Sequence, residues 1–189
     1  MSAASPRPAR AAPSASAEAT APTEAAAPPE ATGAKAAPPK PAPAPDPTEP
    51  PVALPDVNVL VAAFDPRHAH HHAARAWFAT HERFATTPLT ETAFIRLVSN
   101  PSVGGETPAT ALAALRQIRS LPGHSFVPDA ATLADPSIDL TAMVGHQQVT
   151  DLHLVNLAAA SGLVLATFDA KLWRSLASAD QGHAHVIPL

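Results

Sequence analysis

Four carboxylates in the second part of the chain could together bind a divalent cation. Each interrupts or ends an apolar run, where a charge is costly unless another group compensates it. The four are Asp56, Glu91, Asp151 and Asp169. Oxygen ligands suit Mg²⁺, with Mn²⁺ as an alternative, and the chain has no cysteine to supply a thiolate. Two such ions about 4 Å apart would activate a water and stabilise the leaving oxygen in phosphodiester hydrolysis.

A parallel sheet is the element that would position these acids. Apolar runs typical of buried strands alternate with helical patterns, which favours an α/β fold with helices on both faces of a parallel sheet of about four to five strands. The predicted strands are 52–54, 84–87, 124–127, 163–168 and 185–187. The predicted helices are 57–64, 70–81, 90–98, 108–118, 150–161 and 170–176.

Local signals set the predicted helix boundaries. Thr90 and Thr150 are expected to cap the helices that follow them by accepting a backbone hydrogen bond. Pro108 suits the first turn of a helix, and Gly162 suits a helix C-terminus. These signals place Glu91 and Asp151 in the first turns of their helices.

The predicted topology brings the four acids to one edge of the sheet. Asp56 and Asp169 each follow a strand, and parallel strands connected by right-handed crossovers end on the same edge. Open α/β folds bind ligands in the crevice at that edge. Helices that follow strands also begin there, so Glu91 and Asp151 can join the two aspartates. We therefore expect one cation site built from four separate segments.

Each acid also has a simpler explanation. An acid in a first helical turn, such as Glu91 or Asp151, often only complements the helix dipole. An aspartate after a strand, such as Asp169, is often a turn former. Asp56 is harder to explain in this way because its neighbours on both sides are apolar. The prediction depends on the set of four more than on any single member.

Four short motifs carry a family resemblance. In chain order they are DVNVL at 56–60, PLTE at 88–91, VTD at 149–151 and ATFD at 166–169. Together they resemble the PIN-domain ribonucleases, specifically the VapC toxins of bacterial toxin–antitoxin pairs. The resemblance covers 52–189 and implies a PIN-like three-layer α/β/α fold.

The resemblance also implies an activity and partners. It implies metal-dependent cleavage of single-stranded RNA, restraint by a cognate VapB-type antitoxin, and a homodimer. The four acids then correspond to the metal-binding and catalytic positions of the family, and Asn58 and Thr167 to polar positions that support the site. Simpler roles are a helix N-cap for Asn58 and an ordinary β-branched strand residue for Thr167.

Two rival functions stay open. A phosphatase of the haloacid dehalogenase type also places an aspartate after its first strand, but it needs a second aspartate two residues later, where Asn58 stands. A catalytically silent PIN fold could instead serve as a binding module or scaffold. The presence of all four acids argues against such a loss of activity.

The chain divides into two regions by composition. Residues 1–50 contain no Ile, Leu, Val, Phe or Trp, so they cannot bury enough apolar surface to offset the entropy of ordering. We interpret 1–51 as a disordered Ala/Pro-rich tail and 52–189 as the nuclease domain. One hypothesis is that translation begins near Val52, which would make 1–51 a mis-assigned start; a genuine spacer is the alternative.

Charge and hydropathy limit the possible partners. The region from Val52 onward has eight Lys and Arg against eleven Asp and Glu, a net charge of −3. Bulk electrostatics therefore does not favour nucleic acid, and an RNA substrate would need a local basic patch, a metal or a second subunit. No apolar run approaches the roughly 18 residues of a membrane span, and we expect a cytoplasmic protein.

The histidines at 68, 70, 71 and 72 form a second cluster. His68 and His72 stand four apart, as two metal ligands on one helical face would. Pro66 lies just before them, so His68 is expected outside the helix. We interpret the cluster as a helix start with solvated histidines.

Overall fold

A computed structural model describes residues 50–189 of the protein. Residues 1–49, to which the predictions of a disordered tail and of a mis-assigned start mainly apply, lie outside the described residues. Within 50–189, five strands form one sheet in which all neighbours are parallel. The strands are β1 (Val52–Pro55), β2 (Phe84–Thr86), β3 (His124–Phe126), β4 (Leu163–Thr167) and β5 (Ala184–Val186).

Six helices of the described region connect these strands. They are α1 (Val57–Phe64), α2 (His71–Thr80), α3 (Pro88–Val98), α4 (Pro108–Ser120), α5 (Val149–Ser161) and α6 (Ala170–Ser175). Every predicted strand and helix is present, with ends shifted by at most a few residues. None of the helices within 50–189 is both long enough and apolar enough to cross a membrane.

The strands are arranged in the order β3-β2-β1-β4-β5, so the side on which the chain adds new strands changes at β1. The chain moves from β1 to β2 and β3 on one side, then returns to β4 and β5 on the other. β1 and β4 pair along their whole length, with Pro55 opposite Ala166. A reversal of this kind creates a crevice at the carboxyl ends of the two strands, and the residues that follow β1 and β4 therefore lie side by side.

Helices cover both faces of the sheet, which confirms the predicted three-layer α/β/α architecture. On one face, Leu54 and Leu165 pack against Leu152 and Val155 of α5. On the other face, strand residues including Phe84 join α1 and α2, with Trp77 from α2. A further apolar cluster joins α1 to α3 and α4. Because both faces are buried, the strands read as continuous apolar runs.

Two predicted caps are wrong. The cap of α3 is Thr87, whose side chain accepts from the backbone N–H of Thr90, while the Thr90 hydroxyl accepts from the Thr87 N–H at 3.0 Å. Pro88 suits the first helical position because it has no N–H to satisfy, so α3 starts two residues earlier than predicted. Similarly, α5 starts at Val149 after a 3₁₀ turn at His146–Gln148, and Thr150 is already helical. Gly162 ends α5 in the left-handed conformation, as predicted.

Candidate functional site

Asp56 occupies the junction between β1 and α1 and is almost completely buried, with 7% of its surface exposed. Its backbone N–H donates to the Ala166 carbonyl at 2.8 Å, and its Oδ2 accepts from the Thr167 hydroxyl at 3.1 Å. Burial raises the pKa of Asp56 above its ordinary value, the hydrogen bond from Thr167 opposes this, and the negative charge of Asp169 adds to the increase. The fold thus holds a carboxylate where ionisation is unfavourable.

Asp169 lies beside Asp56, at the junction between β4 and α6. Its Oδ1 caps α6 by accepting from the backbone N–H groups of Lys171 at 2.7 Å and Leu172 at 3.0 Å. Its own N–H donates to the Thr167 hydroxyl at 3.1 Å. Thr167 therefore connects the two aspartates with a single hydroxyl. The simpler explanation of Asp169 is a turn former; the structure makes it the N-cap of α6, and its two capping hydrogen bonds use only one carboxylate oxygen.

Asp151, in the first turn of α5, is the third member of this group. Its pKa is raised to about 6, first by burial and then by the negative charges of Asp56 and Asp169. The three aspartates therefore come from three different junctions and act on one another electrostatically. All three begin helices at the carboxyl edge of the sheet, and Asp151 lies close enough to Asp56 and Asp169 for their charges to act on it.

Glu91 has different neighbours. Its Oε1 accepts from the Thr86 hydroxyl at 2.6 Å and its Oε2 from Arg119 at 3.2 Å. The Thr86 hydroxyl also lies 2.8 Å from Nε2 of His124. The guanidinium of Arg119 in turn stands 4.8 Å from the ring centre of Phe126. Glu91 is thus compensated by a cationic side chain, and the structure does not bring it into the aspartate group.

The two supporting residues differ in their placement. Thr167 is fully buried between Asp56 and Asp169. Asn58 is exposed in the first turn of α1 and lines the same cleft as the two aspartates. The N-cap role considered for Asn58 is wrong because Asp56 occupies the N-cap position of α1.

The donor chemistry of the aspartate group fits a divalent cation. All donors are carboxylate oxygens, the ligands that Mg²⁺ and Mn²⁺ prefer. A cation would compensate the burial and the neighbouring negative charges that raise the pKa of Asp151. In residues 50–189, no three His, Asp or Glu side chains already stand in the arrangement that holds a metal ion, and Asp169 and Glu91 accept hydrogen bonds from other groups instead.

An open cleft of about 650 Å³ adjoins the aspartates. Besides Asp56, Asn58, Thr167 and Asp169, its walls contain aromatic and basic side chains, namely His68, His70, Phe168, Lys171 and Arg174. The interpretation of the histidine cluster as solvated is wrong for His68 and His70, which are half-buried in this wall, whereas His72 is exposed. His68 lies outside the helix, as expected.

We did not predict Lys171 and Arg174 as site residues from the sequence, although their spacing gives a usable signal. They follow Asp169 by two and five residues and stand three apart on α6, which puts them on one helical face. A local basic patch, which an RNA substrate would need on a domain of net negative charge, could therefore have been predicted on α6.

Comparisons with known proteins agree with this geometry. The PIN domain family matches residues 53–177. Ribonuclease VapC39 of Mycobacterium tuberculosis is 48% identical over 125 residues, covering 64% of this chain and 90% of that protein. Ribonuclease VapC38 of the same organism is 42% identical over 123 residues, covering 63% and 86%.

A solved structure is also similar in fold. It is that of VapBC2 from Rickettsia felis bound to a DNA fragment from their promoter, with a TM-score of 0.49 and 15% identity over 66% of this chain and 95% of that one. The sequence relationships are much closer than this. On the family match and the identity to the two ribonucleases, the chain belongs to the PIN-domain family and, within it, to the VapC ribonucleases.

Proposed function

We propose that the protein is a metal-dependent endoribonuclease, the toxin of a VapBC-type toxin–antitoxin module, that hydrolyses phosphodiester bonds in single-stranded RNA. The observation that carries the proposal is the group formed by Asp56, Asp151 and Asp169 in a chain that belongs to the VapC ribonucleases. Three acids close together at the edge of the sheet where the strand order changes reduce the stability of the fold, so stability alone does not explain their presence.

The aspartates would hold Mg²⁺ or Mn²⁺. Glu91, which is bonded to Thr86 and Arg119 in the structure, would have to leave Arg119 to act as a fourth carboxylate. When bound, such a cation activates a water for attack and stabilises negative charge on the phosphate. The protein's own contribution is to position the carboxylates. Thr167 stabilises the ionised form of Asp56 by donating to it, and the backbone of α6 holds Asp169. From the wall of the cleft, Asn58 would contact the RNA strand or a water molecule bound near the cation.

The family relationship also supports proposals for partners and location. A VapB-type antitoxin would restrain the nuclease, the toxin would form a homodimer, and both would act in the cytoplasm. The PIN-domain match argues against the phosphatase alternative, as does Asn58 at the position where that chemistry needs an aspartate. A silent scaffold is the alternative that the following experiment separates.

Cleavage of single-stranded RNA by the purified full-length chain tests the proposal. We expect cleavage with Mg²⁺ or Mn²⁺ and none with a chelator. Asp56→Asn should lower the rate by at least about 100-fold, since even groups that only support metal ligands contribute about 10- to 100-fold. Asp135→Asn is the matched control, because it makes the same charge change at an exposed residue outside the cleft.

The result identifies which part of the proposal fails. Equal cleavage by wild type and Asp56→Asn would remove the aspartate group as the site. No cleavage by a folded wild-type protein, with any single-stranded RNA or either cation, would favour the scaffold.

A further inference from the structure

Part of the cleft wall is built from residues that the proposed hydrolysis does not use. These residues come from the turn between α1 and α2 and from α6 with the residues just before it. The first contributes His68 and His70, and the second contributes Phe168, Lys171 and Arg174. Aromatic rings and basic groups thus share a cleft with Asp56 and Asp169.

The rings form a connected aromatic surface. The rings of His70 and Phe168 have their centres 4.9 Å apart, and the ring of His68 is 5.6 Å from that of His70. All three are half-buried, so part of each ring remains open to the cleft. Proteins that bind single-stranded RNA commonly stack its bases on Phe, Tyr, Trp or His rings. The planes of His70 and Phe168 are tilted by 42° to each other, so a nucleobase would stack on one of these rings and contact the other at an angle.

The turn that carries His70 is held in place from several sides. The His70 N–H donates to Nδ1 of His68 at 3.1 Å, and the His68 N–H donates to the Asp65 carbonyl at 3.0 Å. Arg67 pairs with the Asp65 carboxylate and also donates to the Gly104 carbonyl at 2.9 Å, which ties the turn to the segment between α3 and α4. A platform held in this way loses little conformational entropy when a ligand binds.

Two basic side chains next to the rings have free charges. Lys171 and Arg174 are exposed, and neither side chain forms an ion pair or hydrogen bond within residues 50–189. By contrast, Arg67 and Arg119 are each paired with a carboxylate. A free guanidinium or ammonium beside an aromatic surface is suited to a phosphate. This is the local basic surface that a domain of net charge −3 needs in order to bind RNA.

We propose that His70 and Phe168 form a stacking platform for one nucleobase of the RNA strand, and that Lys171 and Arg174 bind the phosphates on either side of it. The inference rests on the proposed ribonuclease function and adds how the strand is held. Phe168 directly precedes Asp169 in the chain, so the stacked base belongs to a nucleotide next to the phosphate at the aspartates. His70 is then a positioning residue that influences which base is accepted there.

Equilibrium binding tests the platform separately from cleavage. A fluorescent single-stranded RNA oligonucleotide is titrated with the full-length Asp56→Asn protein and with its His70→Ala derivative, both in chelator. We expect His70→Ala to weaken binding about fivefold to tenfold, within the range for loss of one base–aromatic stack, and His70→Phe to restore it. His72→Ala, which changes an exposed histidine outside the cleft, should bind like the parent.

An abasic scan identifies the stacked base. Oligonucleotides that lack one base at successive positions should include one whose binding to the parent protein is weakened about as much as by His70→Ala. The His70→Ala protein should discriminate less against that oligonucleotide than the parent does, because the lost base and the lost ring share a contact, while Phe168 keeps part of the stacking. Thermal melts monitored by circular dichroism verify that each variant is folded.

Salt dependence tests the basic residues. Lys171→Ala and Arg174→Ala should each make the dependence of log K for RNA binding on log salt concentration shallower. The expected decrease in slope is about 0.7, the value for one phosphate of a single strand. Arg116→Ala should not change the slope, since Arg116 is an exposed arginine on α4 outside the cleft.

The outcomes separate the two proposals. RNA binding that is unaffected in folded His70→Ala, or discrimination at the abasic position that is as strong in His70→Ala as in the parent, overturns the platform while leaving ribonuclease activity intact. Binding that depends on His70 in a wild-type protein that cleaves no RNA supports the platform and contradicts the proposed function. If the parent protein binds no single-stranded RNA, the platform is wrong.

Discussion

Two threonine–carboxylate pairs flank the central strand of the sheet. Thr167 ends β4 and donates to Asp56, and Thr86 ends β2 and donates to Glu91. β4 and β2 are the two neighbours of β1, and both threonines are completely buried. The two threonines therefore occupy equivalent positions, although Thr167 donates to the residue that follows the neighbouring strand and Thr86 to a residue in the helix that follows its own strand.

Their electrostatic surroundings differ. Glu91 has Arg119 as a cationic partner, whereas the charged groups that act on Asp56 and Asp151 are other carboxylates. A carboxylate at a strand end is therefore not enough to indicate a cation site. What distinguishes the aspartate side is that, within residues 50–189, none of the three aspartates forms an ion pair with a basic side chain, and this is the side where a bound cation would stabilise the fold.

The largest expected difference comes from replacing each threonine by valine, which keeps the shape and removes the hydroxyl. Thr167→Val should cost about 2 kcal/mol, because a buried carboxylate loses a donor and the Asp169 N–H loses its acceptor. Thr86→Val should cost about 1 kcal/mol, since Arg119 still donates to Glu91 and the partly exposed His124, which also loses its contact with the hydroxyl, can bond to water. Urea denaturation at about pH 8 measures both free energies of unfolding.

A pH comparison sharpens the same experiment. The Thr167 hydroxyl lowers the pKa of Asp56 and so stabilises its ionised form. The cost of Thr167→Val should therefore be larger at high pH than at low pH. Equal costs for the two threonines at every pH would contradict the distinction between the pairs.

The sequence predicts the aspartate side better than the glutamate side, for a physical reason. Asp56 and Asp169 are adjacent because two apolar strands pair in parallel, and both the strands and the acids that end them are visible locally. Glu91 is paired instead with Arg119, 28 residues later, and this contact depends on how α3 packs against α4. A contact that depends on how two helices pack cannot be recognised from the spacing of residues in the sequence.

Helix caps and the cleft wall show the same limit. Thr87 and Thr90 both suit an N-cap, and only the start of α3 at Pro88 decides between them. His70 belongs to the wall because its turn folds against Phe168, nearly 100 residues later. The strands, most helices and the acidic edge of the sheet are thus predictable, whereas the partners of individual side chains are not.

A smaller effect is expected from Asp151→Asn. The raised pKa of Asp151 means that the folded protein binds this proton more tightly than the unfolded chain. The associated stability is complete below the ordinary pKa of 3.8 and is lost as the pH rises through about 6. Between about pH 5 and pH 8, wild type should lose about 1 kcal/mol or less relative to Asp151→Asn, once solvent screening at this half-buried site is included.

Denaturation in chelator at a series of pH values measures this loss. Parallel pH profiles for wild type and Asp151→Asn would show that the three aspartates do not interact as described. Saturating Mg²⁺ should reverse the ranking, because a cation that binds wild type more tightly than the variant stabilises wild type by mass action.

The smallest expected effect concerns the ion pair on the glutamate side. Arg119 is 45% exposed along its side chain and 3.2 Å from Glu91, and partly exposed pairs of this kind contribute about 0.5 kcal/mol. A double-mutant cycle with Arg119→Ala and Glu91→Gln isolates this coupling from the contact between Arg119 and Phe126. The coupling should decrease as salt is added, because the pair is open to solvent. A salt-independent coupling above about 2 kcal/mol would mean that Glu91 is fixed by Arg119 too strongly to reach a cation held by the aspartates.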